Sequence, residues 1–116
     1  MTYSAARWEA AMAPNYTTPA LQLVSGKGCQ VTDSEGRTYL DLLAGIAVSS
    51  LGHAHPDLVR AVSDQVGRLA HTSNLYANEP GLRLAERLQR QDGTSGYKTI
   101  FQNSGTEANE AALKLV

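Results

Sequence analysis

The sequence predicts an α/β protein, on three observations. Short alternating segments separated by glycine-bearing turns occupy residues 20–43. Two segments, at 56–69 and 79–92, repeat apolar residues at helical spacing. A β-branched and aromatic run, YKTIFQ at 97–102, is followed within a few residues by a strong helix former, EANEAALKLV at 107–116. Period-2 and period-3.6 patterns that alternate along one chain call for a sheet and helices packed together.

Each element has a local reason. SAARWEAAMA at 4–13 is alanine-rich, so it favours a helix; Ser4 is placed to cap it and Pro14 closes it. ALQLV at 20–24 alternates apolar and polar residues and reads as a strand, with Gly26-Lys27-Gly28 as its turn. CQVT at 29–32 is a second strand, Asp33-Ser34-Glu35-Gly36 a tight turn, and RTYLDLL at 37–43 a third strand, together an antiparallel meander. GIAVSSLG at 45–52 has no period and reads as a buried or ligand-facing loop rather than a helix.

Pro56 suits a first helical turn, and Asp57 there complements the helix dipole. Leu58, Val62, Val66 and Leu69 then share one face. HTSNLYAN at 71–78 is polar and irregular. Asn78 followed by Glu79-Pro80 starts another helix, which carries Leu84 and Leu88 on one face and ends at Gly93. The expected division is an N-terminal segment with the meander at 1–52 and the start of a larger α/β domain at 53–116. The final helical pattern is still running at Val116, without a terminator, which leads us to expect the N-terminal part of a longer protein.

Composition narrows the function classes. Ten Lys+Arg stand against eleven Asp+Glu, a formal net charge of −1, which removes the electrostatic case for binding nucleic acid or a membrane surface. The single cysteine, Cys29, excludes an intrachain disulfide, and its predicted strand position makes it a small core residue. No apolar run approaches the ~20 residues of a membrane span, and the N-terminus lacks the basic head and apolar core of a secretory signal. A cytoplasmic location is the expectation. His53 and His55 lack a third metal ligand nearby, so packing or capping is favoured and no metal is expected.

The strand–NSGTE–helix junction at 102–107 carries the chemistry. Unpaired N–H groups and the helix dipole favour an anion at such a terminus, and Gly105 removes the side chain that would hold a phosphate away. A side chain at Gly105 is expected to crowd that anion and to strain the backbone. Ser104 and Glu107 have capping-box spacing, and the Ser104 and Thr106 hydroxyls are further donors. Local pattern alone leaves two readings open, an ordinary capped helix and a phosphate site. The glycine spacings of a Walker A loop or a dinucleotide fingerprint are missing.

Three stretches decide between them: DSEGRTYLDLLAGIAVSSLGHAHP at 33–56, HTSNLYANEPG at 71–81 and FQNSGTEANEAALKL at 101–115. In this order they resemble the class III, pyridoxal-phosphate-dependent aminotransferases, and within them the acetylornithine group, over residues 14–116. The resemblance implies a fold type I subunit that works as a homodimer in arginine biosynthesis. The complete enzyme would move the δ-amino group of N2-acetylornithine to 2-oxoglutarate. Succinylornithine, ornithine and 4-aminobutyrate aminotransferases are the alternatives within the class, and a non-catalytic phosphate-binding or dimerisation module the alternative outside it.

The resemblance places pyridoxal phosphate on the backbone amides of Gly105 and Thr106, with Ser104 adjacent. It makes Tyr16, Asn74 and Tyr76 candidate substrate-side residues, with loop packing as the other reading of Asn74 and Tyr76. Ser49 stands where relatives often carry Asn, a change that bears on a substrate-side hydrogen bond. The chemistry also needs a lysine that condenses with the cofactor aldehyde. The lysines present, Lys27, Lys98 and Lys114, match none of the family's catalytic context, which lies downstream with the carboxylate-binding arginine. No catalytic residue is therefore expected within these 116 residues, and the chain by itself is expected to be inactive.

Overall fold

The computed structural model describes residues 3–93 and 96–116, in two compact units, Met1–Arg68 and Leu69–Val116. The first unit opens with helix α1 (Ala5–Ala11), whose N-cap Ser4 accepts a hydrogen bond from the Arg7 amide at 3.2 Å. Three strands follow, β1 (Leu23–Lys27), β2 (Gln30–Asp33) and β3 (Thr38–Leu40), in an antiparallel sheet of order β1-β2-β3. This is the meander read from the sequence, with its boundaries shifted.

The boundary of β1 differs from the expected one. Gly26 pairs with Val31 inside the strand instead of turning, and a Cβ there would lie 2.7 Å from the His53 ring. The hairpin loop moves to Gly28-Cys29, between the paired residues Lys27 and Gln30, and Gly28 takes φ +58°. Cys29 is consequently exposed, not the core residue expected of a strand position.

Val31 and Asp33 on β2 are the buried residues among those described, at 7% and 2% exposure. A buried carboxylate must be fully paired to be tolerated. Asp33 Oδ1 accepts from the Glu35 and Arg37 amides, both at 2.9 Å. Its Oδ2 accepts from Arg37 Nε at 2.7 Å and from the Tyr39 hydroxyl at 2.8 Å. Burial pushes the Asp33 carboxyl upward, but the Arg37 side chain, the Arg37 amide, the Tyr39 hydroxyl and the Glu35 amide outweigh it and bring it to about 2. One side chain thus ties the β2–β3 turn to both strands.

Residues after β3 depart from the expected loop. Ala44–Ala47 form a single short turn, α2, in which Ala44, Gly45, Ile46 and Ala47 have φ of 49, 63, 64 and 66°. The turn is left-handed, a conformation the residue pattern gives no cause to expect. Helix α3 (Pro56–Arg68) completes the unit, with Asp57 in its first turn and Arg68 in its last, matching the helix dipole. The Asp57 amide donates to His55 Nδ1 at 3.3 Å, so His55 has the capping role.

The second unit begins with the irregular segment to Asn78. Helix α4 (Glu79–Asp92) is capped as the sequence reads: Asn78 Oδ1 accepts from the Gly81 amide at 2.9 Å, and Gly93 ends it in the left-handed region. YKTIFQ at 97–102 is not a strand. A strand exists only by pairing, and no described segment pairs with it. Tyr97 is fixed instead to α4, donating its hydroxyl to the Leu88 carbonyl at 2.7 Å and accepting from Gln89 Nε2 at its own carbonyl. Helix α5 (Gly105–Leu115) closes the chain.

Candidate functional site

Ser104 is the N-cap of α5, in extended conformation at φ −151° and ψ 161°. Its Oγ accepts from the Glu107 amide and donates to Glu107 Oε2, both at 3.2 Å, so a side-chain pair with capping-box spacing fixes the first turn. The Ser104 carbonyl takes the Ala108 amide at 3.0 Å. Two donors are left over, the amides of Gly105 and Thr106, which have no acceptor among the described residues. The Thr106 hydroxyl is likewise without a partner there.

These groups fit a phosphate. Two adjacent amides point out of a helix terminus that already favours negative charge, and the space a Cβ would occupy at Gly105 holds no atom within 4 Å. Gly105 is not in the left-handed region, so the backbone strain expected of a side chain there is absent and only crowding remains. Ser104 has its hydroxyl committed to Glu107, which leaves Gly105 and Thr106 as the groups open to an anion. The Glu107 carboxylate, held on Ser104, makes the rim less favourable than a cluster of amides alone.

The other expected site residues lie on irregular segments. Tyr16 is exposed and shares a small groove of α1 with Trp8, Met12, Pro14 and Thr18. Asn74 and Tyr76 sit in the turn after Ser73, itself at φ +54°, where the Leu75 amide donates to Ser73 Oγ at 3.2 Å. Tyr76 is exposed. Asn74 and Tyr76 share a unit with Ser104, Gly105 and Thr106, whereas Tyr16 belongs to the first unit.

One cluster was not legible in the sequence. His53 Nε2 donates to Asp41 Oδ2 at 2.6 Å, while Asp41 Oδ1 accepts from the Leu43 and Ala44 amides at 2.9 and 2.8 Å. The His53 bond, then the two amides, hold the Asp41 carboxyl below the usual carboxylate range. The His53 backbone exchanges two hydrogen bonds with Gly28, at 2.8 and 2.9 Å. Gly52, at φ +77°, has no room for a Cβ, which would meet the Gly28 carbonyl at 2.8 Å. Twelve residues separate Asp41 from His53, and no periodic signal joins positions so far apart. Left-handed conformation costs roughly 1–2 kcal/mol for each non-glycine residue, and α2 holds three of them, Ala44, Ile46 and Ala47.

A profile of the class-III aminotransferases matches residues 11–116, and the chain belongs to that class. Among the relatives it resembles within that class are acetylornithine aminotransferases. That of Mycolicibacterium smegmatis is 61% identical over 94% of this chain and 28% of the relative, and that of Streptomyces coelicolor 51% identical over 94% and 27%. Among solved structures, N-acetylornithine aminotransferase from Stenotrophomonas maltophilia superposes with a TM-score of 0.78 at 46% identity, over 86% of this chain and 27% of that one. The ornithine aminotransferase of Toxoplasma gondii gives 0.85 at 32% identity, over 95% and 25%. The chain therefore has the fold of the corresponding part of the pyridoxal-phosphate-dependent, fold type I aminotransferases. It spans about 28% of the length of the curated relatives it matches.

Proposed function

We propose that the complete protein is an N2-acetylornithine:2-oxoglutarate 5-aminotransferase, acting as a cytoplasmic homodimer in arginine biosynthesis, with residues 53–116 opening its large domain. The observation that carries this reading is identity of 48–61% to proteins named acetylornithine aminotransferase across nearly all of the chain. Pyridoxal phosphate, when bound, supplies an electron sink for moving the amino group. The Gly105 and Thr106 amides would hold its phosphate, and the Ser104–Glu107 cap keeps those amides aimed outward. Tyr16, Asn74 and Tyr76 would stand on the substrate side.

Ornithine aminotransferases are also among the structural neighbours, so the amino donor is the discriminating variable. The test is glutamate formation from 2-oxoglutarate by the full-length protein, with N2-acetylornithine, N2-succinylornithine, ornithine and 4-aminobutyrate offered separately. The reading expects the highest kcat/KM with N2-acetylornithine. A preference for free ornithine or 4-aminobutyrate would move the protein to another branch of its class.

A further inference from the structure

A strained backbone persists only where surrounding contacts over-determine it. Turn α2 has its own bonds, from the Ile46 and Ala47 amides to the Leu43 carbonyl and from Ser49 to Ala44, but these do not choose the left-handed form for Ala44, Ile46 and Ala47. The fixed points lie on either side of it. Before the turn, the Asp41 amide donates to the Cys29 carbonyl at 2.8 Å, which seats Asp41 beside the β1–β2 hairpin loop. After the turn, His53 is bridged to Gly28 at the same loop. Gly26 and Gly52 supply the space that lets His53 come so close.

We propose that Asp41 and His53 form a latch that holds the left-handed turn 44–47 against the end of the β1–β2 hairpin. One carboxylate performs both parts: Oδ1 takes the two amides that enter the turn, and Oδ2 takes the imidazole that returns the chain to Gly28. The segment closed between 41 and 53 carries Ile46 and Val48 exposed. The latch goes beyond the aminotransferase reading and does not depend on it.

Amide hydrogen exchange of the full-length protein, followed over 42–49 and over the strands 30–33 and 38–40, tests it. Asp41→Ala is expected to speed exchange in 42–49 by about tenfold or more while the strands keep parental rates. His53→Ala, which leaves the Oδ1 bonds in place, gives a smaller local acceleration. Asp41→Asn restores protection, because an amide oxygen still accepts from Leu43 and Ala44. Adding Ala44→Gly and Ala47→Gly to Asp41→Ala recovers part of it, since glycine accepts positive φ at little cost. Parental exchange over 42–49 in His53→Ala would overturn the latch, as would acceleration spread equally over turn and strands. His53→Ala decides the question if Asp41→Ala does not fold.

Discussion

At the scale of single residues, buried charge sets the acid behaviour of the meander. Asp33 has its carboxyl at about 2 in the fold, against roughly 3.9 in an unfolded chain. A lowered carboxyl contributes stability that is fully present above the unfolded value and is lost as pH falls through the folded one. Denaturation midpoints measured on the full-length protein from pH 5 to 2 are therefore expected to drop through this window. Asp33→Asn should be less stable at pH 5 and show a shallower fall; an unchanged slope would mean that Asp33 is not the titrating group. The sequence marks Asp33 only as a turn residue. Its burial follows from Arg37 and Tyr39 closing over it from the next strand, a relation that exists only after the strands pair. Cys29 is exposed for the same kind of reason: only the strand register places it in the hairpin loop beside Gly28.

At the scale of elements, signals carried within a few residues are legible. Ser4, Asn78, Ser104 and Gly93 cap their helices as their residue types dictate. Asn78→Ala removes the bond to the Gly81 amide and is expected to cost about 1 kcal/mol, read as a fall in thermal or denaturant midpoint, while Asn78→Ser should recover most of it. Equal loss in both variants would show that the cap contributes nothing. Elements that need a distant partner were not legible. YKTIFQ has strand composition, but composition does not supply the ladder a strand requires. The left-handed turn at 44–47 lies at the other extreme, imposed by Asp41 and His53 against the preference of its own residues.

At the scale of the whole molecule, the apolar faces are real but uncovered. Leu58, Val62 and Val66 on α3 are each about half exposed, as are Leu82 and Leu84 on α4, and Val31 is the one buried apolar residue among those described. Stability comes from apolar area removed from water, so these 116 residues by themselves are expected to unfold without a sharp two-state transition. A cooperative melt with dispersed amide resonances would contradict that. Borohydride reduction in the presence of pyridoxal phosphate should give no stoichiometric, selective label on Lys27, Lys98 or Lys114; one selectively labelled lysine would require a different catalytic arrangement. The capped helix start at 102–107 is legible in the sequence, while a phosphate at its terminus is what the family resemblance proposes. The most direct test is pyridoxal phosphate affinity of the full-length protein carrying Gly105→Val, with Thr106→Ala alongside. Loss of one or two charge-assisted bonds at roughly 1.5–3 kcal/mol each predicts cofactor binding about 10- to 10⁴-fold weaker for Gly105→Val, and a much smaller loss for Thr106→Ala, which keeps its amide. Parental affinity in Gly105→Val would show that the phosphate is not held at this helix terminus.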